Sequence, residues 1–435
     1  MFLSVLGVVK GATAEQIRQI ACPGTKDAGT VRGGLKDLEA DRLVATAGTA
    51  VRVNEVGNRV TEKLWHLTPA GLEAAAAALD RPAREMGGTA KAAAASGATH
   101  ARKVTDTLAA FLQTRPEPML PGPRTAPDAV PRVFVERPPG LGPLIAWTTE
   151  VTLPVAGTFA SPARGSLRAD LVCALPGAAP QLLFVEVDNG TESPEVLADK
   201  VARYAAFFKR PAAPRRPAHA SAGPALWHTV WPHAAPEAGQ RPAYPPVTVV
   251  FTQDSGPQAL QNRMTALGRL SHALWKGVWH RWPRPSEIGG EDGYQDFESR
   301  IPLLATSLRQ LASKGPHGPV WWRYGHTEWG TLDVALADLD GLTAYRERDQ
   351  ADRRRAEEIR EQRAAAAQAE IEAARRRHEA AAWPCPGCGR PLHPHPDFQM
   401  GDHCATCARE LPEGRAAQEA AEAAARPRRL FGRRA

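Results

Sequence analysis

Residues 182–204 read LLFVEVDNGTESPEVLADKVARY. The unbroken apolar run at the start of this stretch is typical of a strand that is buried on both faces. Glu186 and Asp188 stand at the end of the strand, and because side chains alternate along a strand, we expect both carboxylates to point the same way. The stretch therefore predicts a core strand that ends in a pair of acids.

A helix is predicted directly after this strand. Asn189-Gly190 is a turn signal, and Ser193-Pro194 combines a helix N-cap with proline at the first helical position. Lys200 and Tyr204 then lie one turn apart on the predicted helix. We expect the strand and the helix to bring two acids, a lysine and a tyrosine to the same end of the fold.

A second predicted strand upstream, residues 167–175 (LRADLVCAL), offers a third acid, Asp170. Buried carboxylates are costly unless something compensates their charge, and a divalent cation is the usual compensation. We therefore predict that Asp170 and Glu186 bind Mg²⁺, with Asp188 beside them. Lys200 would orient a water or steady a phosphate. The alternative is that these acids are solvated turn residues, as in many short Glu-x-Asp motifs.

The order of these residues resembles that of a known family. An Asp on one strand, Glu-x-Asp-x-Gly-Thr on the next and a lysine on the following helix look like the restriction-endonuclease-like class, PD-(D/E)xK. The order is more closely similar to the replication-relaxation proteins of bacterial plasmids and integrative elements. The matching residues are Arg168-Ala169-Asp170, Glu186–Thr191, Lys200 and Arg203-Tyr204. The resemblance covers residues 1–251.

This resemblance implies a mixed α/β restriction-endonuclease-like core within an α+β multidomain chain. The catalytic candidates that it implies are Asp170, Glu186, Asp188 and Lys200. Glu150 is a further candidate, because family members similarly carry a tryptophan followed by an acid at this point; the alternative is a surface strand residue. Two positions depart from the family pattern. Ala169 stands where proline is usual, and Asp188 stands where the wider class has its lysine, so Lys200 must reach the site from the helix.

Composition indicates a basic globular protein. The 435 residues allow about two to four domains, and the net charge of +7, with a pI near 9.2, favours a polyanionic partner. No apolar run approaches the length of a membrane span and no targeting segment is evident, so we expect no membrane partner. Four of the six cysteines form a metal-like cluster, which fits a reducing cytoplasm.

Residues 1–80 are typical of a winged helix DNA-binding domain. The predicted elements are a helix capped by Thr13 and Gln16, a helix over 29–40, strands over 43–47 and 63–67, and a helix from Pro69. The second helix is expected to bury its apolar side and to present Thr30, Arg32 and Lys36 to the major groove of duplex DNA. Winged domains also serve in dimerisation, so a homodimer is an alternative.

Residues 97–345 are predicted to form the nuclease-like α/β domain. It would contain a helix over 100–113, a proline-rich insertion over 209–246 and the apolar strand VTVVF at 247–251. This last strand is the natural neighbour of the strand at 182–187. Six tryptophans in the last part of the domain could stack on bases, but their apolar neighbours favour a core or helix-packing role.

The C-terminal part is predicted to hold a charged helix over 346–383, a zinc ribbon over 384–411 and a basic tail over 412–435. Two C-x-x-C knuckles that enclose 15 residues supply four thiolates for tetrahedral zinc. The predicted ligands are Cys385, Cys388, Cys404 and Cys407. The alternative of a disulfide pair is disfavoured in a reducing compartment. The tail either binds along the phosphates of a nucleic acid or keeps a disordered chain end soluble.

Two functions are compatible with the sequence. The resemblance implies a cytoplasmic DNA-binding protein of a mobile element that cleaves DNA phosphodiester bonds with Mg²⁺. The alternative is a non-enzymatic replication initiator or transcription regulator with an inactive nuclease fold. The presence of Asp170, Glu186 and Lys200 favours the first.

Overall fold

The computed structural model covers most of the chain. The described residues are 1–23, 25, 27–53, 58–86, 98–112, 141, 144, 146–159, 161–178, 180–212, 224–234, 244–253, 256–337, 341–393 and 402–425. The end of the predicted basic tail and parts of the predicted proline-rich insertion lie outside them. Within the described ranges, no helix combines the length and the apolar character needed to cross a membrane.

The described residues form two compact units. The first consists of Met1–His280 and Gly293–Ala344, and the second of Arg281–Asp292 and Tyr345–Ala435. Both contain helices together with short or long strands, so the mixed α and β composition expected from the sequence is confirmed.

The first unit begins with a group of short elements, residues 2–78, that we call the head. Its elements are α1 Phe2–Val9, β1 Ala12–Thr13, α2 Ala14–Ala21, α3 Gly29–Ala40, β2 Val44–Val53, β3 Arg59–Leu67 and α4 Pro69–Ala78. The strands form an antiparallel sheet in the order β1-β3-β2. The capping box predicted at Thr13 and Gln16 is present. β2 and β3 are longer than predicted, because their pairing continues to Val53 and Arg59, beyond the apolar pattern.

Helix α3 has the bounds that the sequence predicts and divides into the two expected sides. Val31 and Leu35 are fully buried in the head. Thr30, Arg32 and Lys36 are exposed. The apolar side of α3 therefore packs into the core of the head. The basic side chains point away from that core.

The two glycines inside α3 differ in the space around them. The helix continues without a break through Gly33 and Gly34. A Cβ at Gly33 would meet nothing within 4 Å, but a Cβ at Gly34 would lie 2.7 Å from the ring of Phe2. Gly34 therefore allows α1 to approach α3 closely, whereas Gly33 serves no such contact.

A mixed seven-stranded sheet forms the centre of the first unit. The elements after the head are α5 Ala98–Phe111, β4 Ala146–Leu153, β5 Leu167–Ala174, β6 Leu182–Asp188, α6 Pro194–Lys209, α7 Leu226–Val230, β7 Val247–Phe251, α8 Pro257–Leu270, α9 His272–Trp275, β8 Val278–Pro283, β9 Glu291–Asp296, β10 Leu303–Ser307, α10 Leu308–Lys314, β11 Trp321–Arg323, β12 Trp329–Gly330 and α11 Leu332–Leu336. The strand order is β12-β11-β10-β7-β6-β5-β4, and β8 pairs with β9 separately. β6 is antiparallel to β5 and parallel to β7, so both predicted neighbours of β6 are confirmed.

The two faces of the sheet are covered by different elements. One face packs against α6 and α8 around Phe184, Tyr204 and Phe208. The other face shares a single apolar core with α5 and the head. Gln16 of α2 also donates a hydrogen bond to Asp106 of α5 at 2.6 Å. The predicted regions 1–80 and 97–345 therefore meet in one compact unit.

The tryptophans near the end of this unit divide into buried and exposed residues. Trp321 is fully buried and stacks on Phe111 with ring centroids 6.1 Å apart, as expected of a core residue. Trp279 on β8 is 47% exposed. Trp321 is therefore a core residue. Trp279 is too exposed to contribute mainly to core packing.

The second unit contains the long charged helix α12 Leu342–Ala380 from Tyr345 onward, followed by β13 Trp383–Pro384, β14 Pro391–Leu392, α13 Ala405–Glu410 and α14 Pro412–Ala425. α12 forms ion pairs with the segment 281–292, including Arg284 with Asp352 at 2.6 Å and Arg348 with Asp292 at 3.0 Å. The long helix is therefore held by charge pairs, in keeping with its nearly complete lack of large apolar residues.

Candidate functional site

β5 and the end of β6 place the predicted acids close together. Glu186 and Asp188 both point to the face covered by α6 and α8, as the alternation of side chains predicts. The ladder between β5 and β6 ends at Leu171 and Val185. Just beyond that point Asp170 Oδ2 accepts a hydrogen bond from the Val187 backbone N–H at 2.7 Å. Asp170 is thus fixed beside Glu186 by the backbone of β6.

Glu186 is the most deeply buried acid of the cluster, at 1% exposure. Its Oε1 accepts a hydrogen bond from the Tyr204 hydroxyl at 2.7 Å. Its Oε2 lies 3.2 Å from Lys200 Nζ, which is the one polar contact of that oxygen among the described residues. Burial, with the nearby charge of Asp170, raises the pKa of Glu186 to about 8, and the lysine only partly opposes this.

Lys200 reaches the acids from the first half of α6, as the sequence predicts. Its Nζ lies 2.8 Å from Glu192 Oε2 in addition to its contact with Glu186. Burial lowers the pKa of Lys200, but the carboxylates of Glu186, Glu192 and Asp170 outweigh it, so the pKa lies above its usual value. Lys200 is therefore a permanent cation that faces inward.

Asp188 is held by an arginine that the sequence did not indicate. Arg263 on α8 binds it in a bidentate manner, with Nη2 2.9 Å from Oδ1 and Nε in contact with Oδ2. The backbone N–H of Gly190 donates to Oδ1 as well, at 2.8 Å. Both carboxylate oxygens of Asp188 are thus engaged by protein donors, which is the strongest geometry for a charged pair.

His100 is a second residue that sequence reasoning missed. It stands at the start of α5, 70 residues before Asp170, and its Nε2 lies 2.9 Å from Asp170 Oδ1. Its Nδ1 lies 3.1 Å from the side-chain nitrogen of Asn189. The hydrogen bond to Asp170 raises the pKa of His100, although burial opposes the shift. His100, Asn189 and Lys200 line a cavity of about 200 Å³ together with Asp188 and its turn.

The structure brings Asp170, Glu186 and Lys200 together and places the other two candidates against arginines. Asp188 pairs with Arg263, and Glu150 on β4 lies 3.5 Å from Arg168. Across the described residues, the four C-terminal cysteines are the one group in which three or more metal-ligating atoms lie within 4.8 Å of one another. The side chains that contact the buried acids are Lys200, Arg263 and His100 of the chain itself, and the histidine carries a charge only when it is protonated.

The four cysteines form a separate cluster in the second unit. Cys385 and Cys388 belong to the knuckle between β13 and β14, and Cys404 and Cys407 stand at the start of α13. The Cys388 and Cys404 sulfurs are 3.7 Å apart. The Cys404 N–H donates to Cys385 Sγ at 3.2 Å and lowers the pKa of that thiol to about 6. Four thiols at these distances could bind a metal ion such as zinc.

Comparison with known families identifies the N-terminal part of the chain. Residues 3–219 match the profile of the family described as Replication-relaxation. The chain belongs to the replication-relaxation family. The replication-relaxation match includes α3, Asp170, Glu186 and Lys200, whereas Arg263 and the cysteine cluster lie outside it. No curated protein matches the chain, and no solved structure matches it.

Proposed function

We propose that this replication-relaxation protein binds duplex DNA through α3 during replication or transfer of a mobile element. The observation that carries the proposal is the exposure of Thr30, Arg32 and Lys36 on a helix whose opposite side is fully buried. A helix, a second helix and a two-stranded hairpin in this order are the parts of a winged helix. In such domains the second helix enters the major groove and the hairpin contacts the backbone.

The distribution of charge along α3 supports this orientation. Arg32 is the fourth and Lys36 the eighth of its 12 residues, whereas Asp37 and Glu39 lie closer to its C-terminus. The N-terminal end of a helix also carries the positive end of the helix dipole. The N-terminal part of α3 is therefore the part suited to approach phosphates and base edges, as in recognition helices.

Salt-dependent binding of the full chain to duplex DNA tests this proposal. Each phosphate contact contributes about 0.9 to the slope of log affinity against log salt, so Arg32→Ala with Lys36→Ala should lower the slope by about 2 and weaken binding. Lys314→Ala, which removes an exposed lysine from α10, is the matched control. Unchanged affinity and slope in the double variant would overturn the role of α3.

For the acid cluster we propose a structural role as the first candidate. Arg263 pairs with Asp188, His100 Nε2 contacts Asp170, and Glu186 keeps its proton up to about pH 8 beside Lys200, so the buried acids would need no added cation. The sheet would then act as a scaffold that carries the head. This corresponds to a non-enzymatic initiator or regulator built on a nuclease-like fold.

A second candidate, Mg²⁺-dependent cleavage of DNA, is favoured by one specific observation. Glu186 Oε2 is buried and, among the described residues, has only the Lys200 ammonium beside it at 3.2 Å, so one of its lone pairs remains available for a metal ion. Asp170 and Glu186 would hold the ion, which would polarise the scissile phosphate and lower the pKa of a water when bound. Lys200 would neutralise charge that develops on the phosphate.

A nicking assay distinguishes the two candidates. Supercoiled plasmid is incubated with the full chain and Mg²⁺, and Glu186→Gln is compared with Glu192→Gln, which removes the more exposed carboxylate on the same lysine. Nicking that depends on Mg²⁺ and is lost only in Glu186→Gln supports cleavage. Retained duplex binding without nicking in the unaltered protein supports the scaffold.

We also propose that the cysteine cluster binds structural zinc. Four cysteines complete a tetrahedral shell and leave no open position for a substrate, which is the pattern of structural rather than catalytic sites. The cluster would then stabilise the small hairpin β13–β14 and the start of α13, whose apolar core consists, in the part of the chain that is described, of Leu392, Trp383 and cysteines of the cluster.

A further inference from the structure

A cavity of about 330 Å³ lies in the first unit, outside the residues that match the family. It is formed by α9, β8, β9 and the segment after β11. Its aromatic lining residues are Trp275, Trp279, Phe297 and Tyr324. Its basic lining residues are His272, Lys276, Arg323 and His326. The cavity therefore combines flat aromatic surfaces with positive charge, and it uses none of the residues of the acid cluster or of α3.

The inner walls of this cavity are fixed before any ligand enters. Trp275 Nε1 donates to the carbonyl of Gly268 at 3.0 Å, and the Tyr324 hydroxyl donates to the carbonyl of Met264 at 3.0 Å. The two rings lie 5.8 Å apart. A Cβ at Gly268 would lie 2.7 Å from the Tyr324 ring, so glycine is needed there for the ring to occupy its place. Because these side chains are already held in place, ligand binding would cost little of their conformational entropy.

The cationic part of the wall is also held in place. Arg323 is 6% exposed, its Nη1 donates to the carbonyl of Ala335 at 3.1 Å, and its guanidinium lies 5.3 Å from the ring centre of Phe297. Lys276, by contrast, is exposed at the rim of the cavity. The buried guanidinium places a positive charge in the wall, and the exposed lysine can reach an anionic group at the rim.

Trp279 provides the accessible aromatic surface. It is 47% exposed, and a Cβ at Gly293 on the facing strand would lie 2.9 Å from its ring, so the ring rests closely on the backbone of β9. Burial of a tryptophan side chain is strongly favourable, and an indole held half in water at a cavity with a basic rim is suited to cover a flat ligand.

We propose that this cavity binds a nucleotide unit, either free or within single-stranded DNA. The base would stack against Trp279 and the phosphate would be neutralised by Lys276. Stacking on aromatic side chains beside a positive groove is the general means by which proteins hold single strands, because every base has an aromatic face. A purely apolar ligand could not form ion pairs or hydrogen bonds with the four basic side chains. The volume lies in the usual range of small-molecule sites.

This site would add single-strand binding to the duplex binding proposed for α3. Replication and transfer both expose single strands next to duplex DNA, so the two activities are compatible in one chain. The proposal does not depend on α3, because the residues that line the cavity all lie within 272–337.

Binding of a labelled oligothymidylate to the full chain, followed by fluorescence anisotropy, tests the proposal. Loss of one stacked base weakens binding roughly tenfold, so Trp279→Ala should raise Kd by about that factor, whereas Trp279→Phe should keep most of the affinity. Lys276→Ala should lower the salt slope by about 0.7, the value for one phosphate of a single strand. Trp282→Ala is the control, because Trp282 is 51% exposed and does not line the cavity.

The other arms identify the ligand and separate the two proposals. Competition by thymidine monophosphate supports a free nucleotide as the ligand, and binding of the oligonucleotide without such competition supports a strand. Single-strand binding that persists in the Arg32→Ala with Lys36→Ala protein shows that it is independent of duplex binding. The proposal is overturned if Trp279→Ala binds the oligonucleotide as tightly as the unaltered protein. It is also overturned if an aromatic peptide binds the cavity and the oligonucleotide does not.

Discussion

Replacement of Glu186 by glutamine should change how the stability of the protein depends on pH. The pKa of Glu186 is about 8 in the folded protein, against an ordinary value of 4.5. Between these values the folded protein keeps a proton that the unfolded chain has released, so the free energy of unfolding falls as the pH rises. Above about pH 8 both states are ionised and the loss is complete.

The size of the effect follows from the two pKa values. The interval from 4.5 to about 8 corresponds to a loss of up to about 5 kcal/mol for a fully buried carboxyl group. Glu186→Gln cannot ionise and should escape this loss, while its amide oxygen can still accept the Tyr204 hydrogen bond. The variant should therefore match the unaltered protein near pH 5 and exceed its stability by several kcal/mol near pH 9.

Urea unfolding at a series of pH values, in the presence of a chelator, measures this difference. Tryptophan fluorescence is a suitable signal, because Trp321 is fully buried in the same unit as Glu186. Glu192→Gln is the matched control, since Glu192 also contacts Lys200 but is 38% exposed, and it should show no comparable gain. Parallel stability curves for Glu186→Gln and the unaltered protein from about pH 5 to 9 would refute the reasoning. In a second series without chelator, a smaller fall of the unfolding free energy with pH when Mg²⁺ is present would support a metal at Glu186.

Three further variants test other parts of the structure. Arg263→Ala should destabilise the protein by about 3–5 kcal/mol, because Asp188 would be left as an unpaired buried charge, and urea unfolding measures this. Cys385→Ser should abolish stoichiometric zinc in the purified chain, which elemental analysis measures, because three thiolates leave the tetrahedral shell open. Gly33→Ala should raise the melting temperature by the equivalent of about 1 kcal/mol, since alanine favours the helix and meets open space, whereas Gly34→Ala should not.

Two control variants test whether the effects of Arg263→Ala and Cys385→Ser are specific to those positions. Arg269→Ala removes an exposed arginine from the same helix as Arg263 and should leave stability nearly unchanged. Cys22→Ser removes a cysteine that lies outside the cluster and should leave the zinc content unchanged. Equal stability of the Arg263→Ala and Arg269→Ala proteins would contradict the pairing of Arg263 with Asp188. Full zinc content in Cys385→Ser would contradict the assigned ligand.

Local patterns predicted much of this fold. The bounds of α3 and β7, the capping box at the start of α2 and the apolar strand β6 all follow from spacing and residue type over a few positions. The same holds for the grouping of the cysteines, because each C-x-x-C pair is brought together by one tight turn. The common direction of Glu186 and Asp188 follows from the alternation of side chains along a strand.

The partners of the acids could not be predicted in this way. Arg263 lies 75 residues after Asp188, and His100 lies 70 residues before Asp170. Neither position has a local signal, because each is a polar residue on an otherwise ordinary amphipathic helix. The cavity around Trp279 could not be predicted either, because its lining residues come from a short helix, a hairpin and the segment after a later strand.

The sequence by itself thus determined some of the strands and helices, among them β6, β7 and α3, where the acids end a buried strand and which cysteines can share an ion. Only the tertiary structure decided which side chains meet those acids, namely an arginine, a lysine and a histidine on three separate helices. The physical reason is that secondary structure depends on the spacing of neighbouring residues, whereas the ionisation of a buried carboxyl group depends on every charge and dipole that folding brings near it.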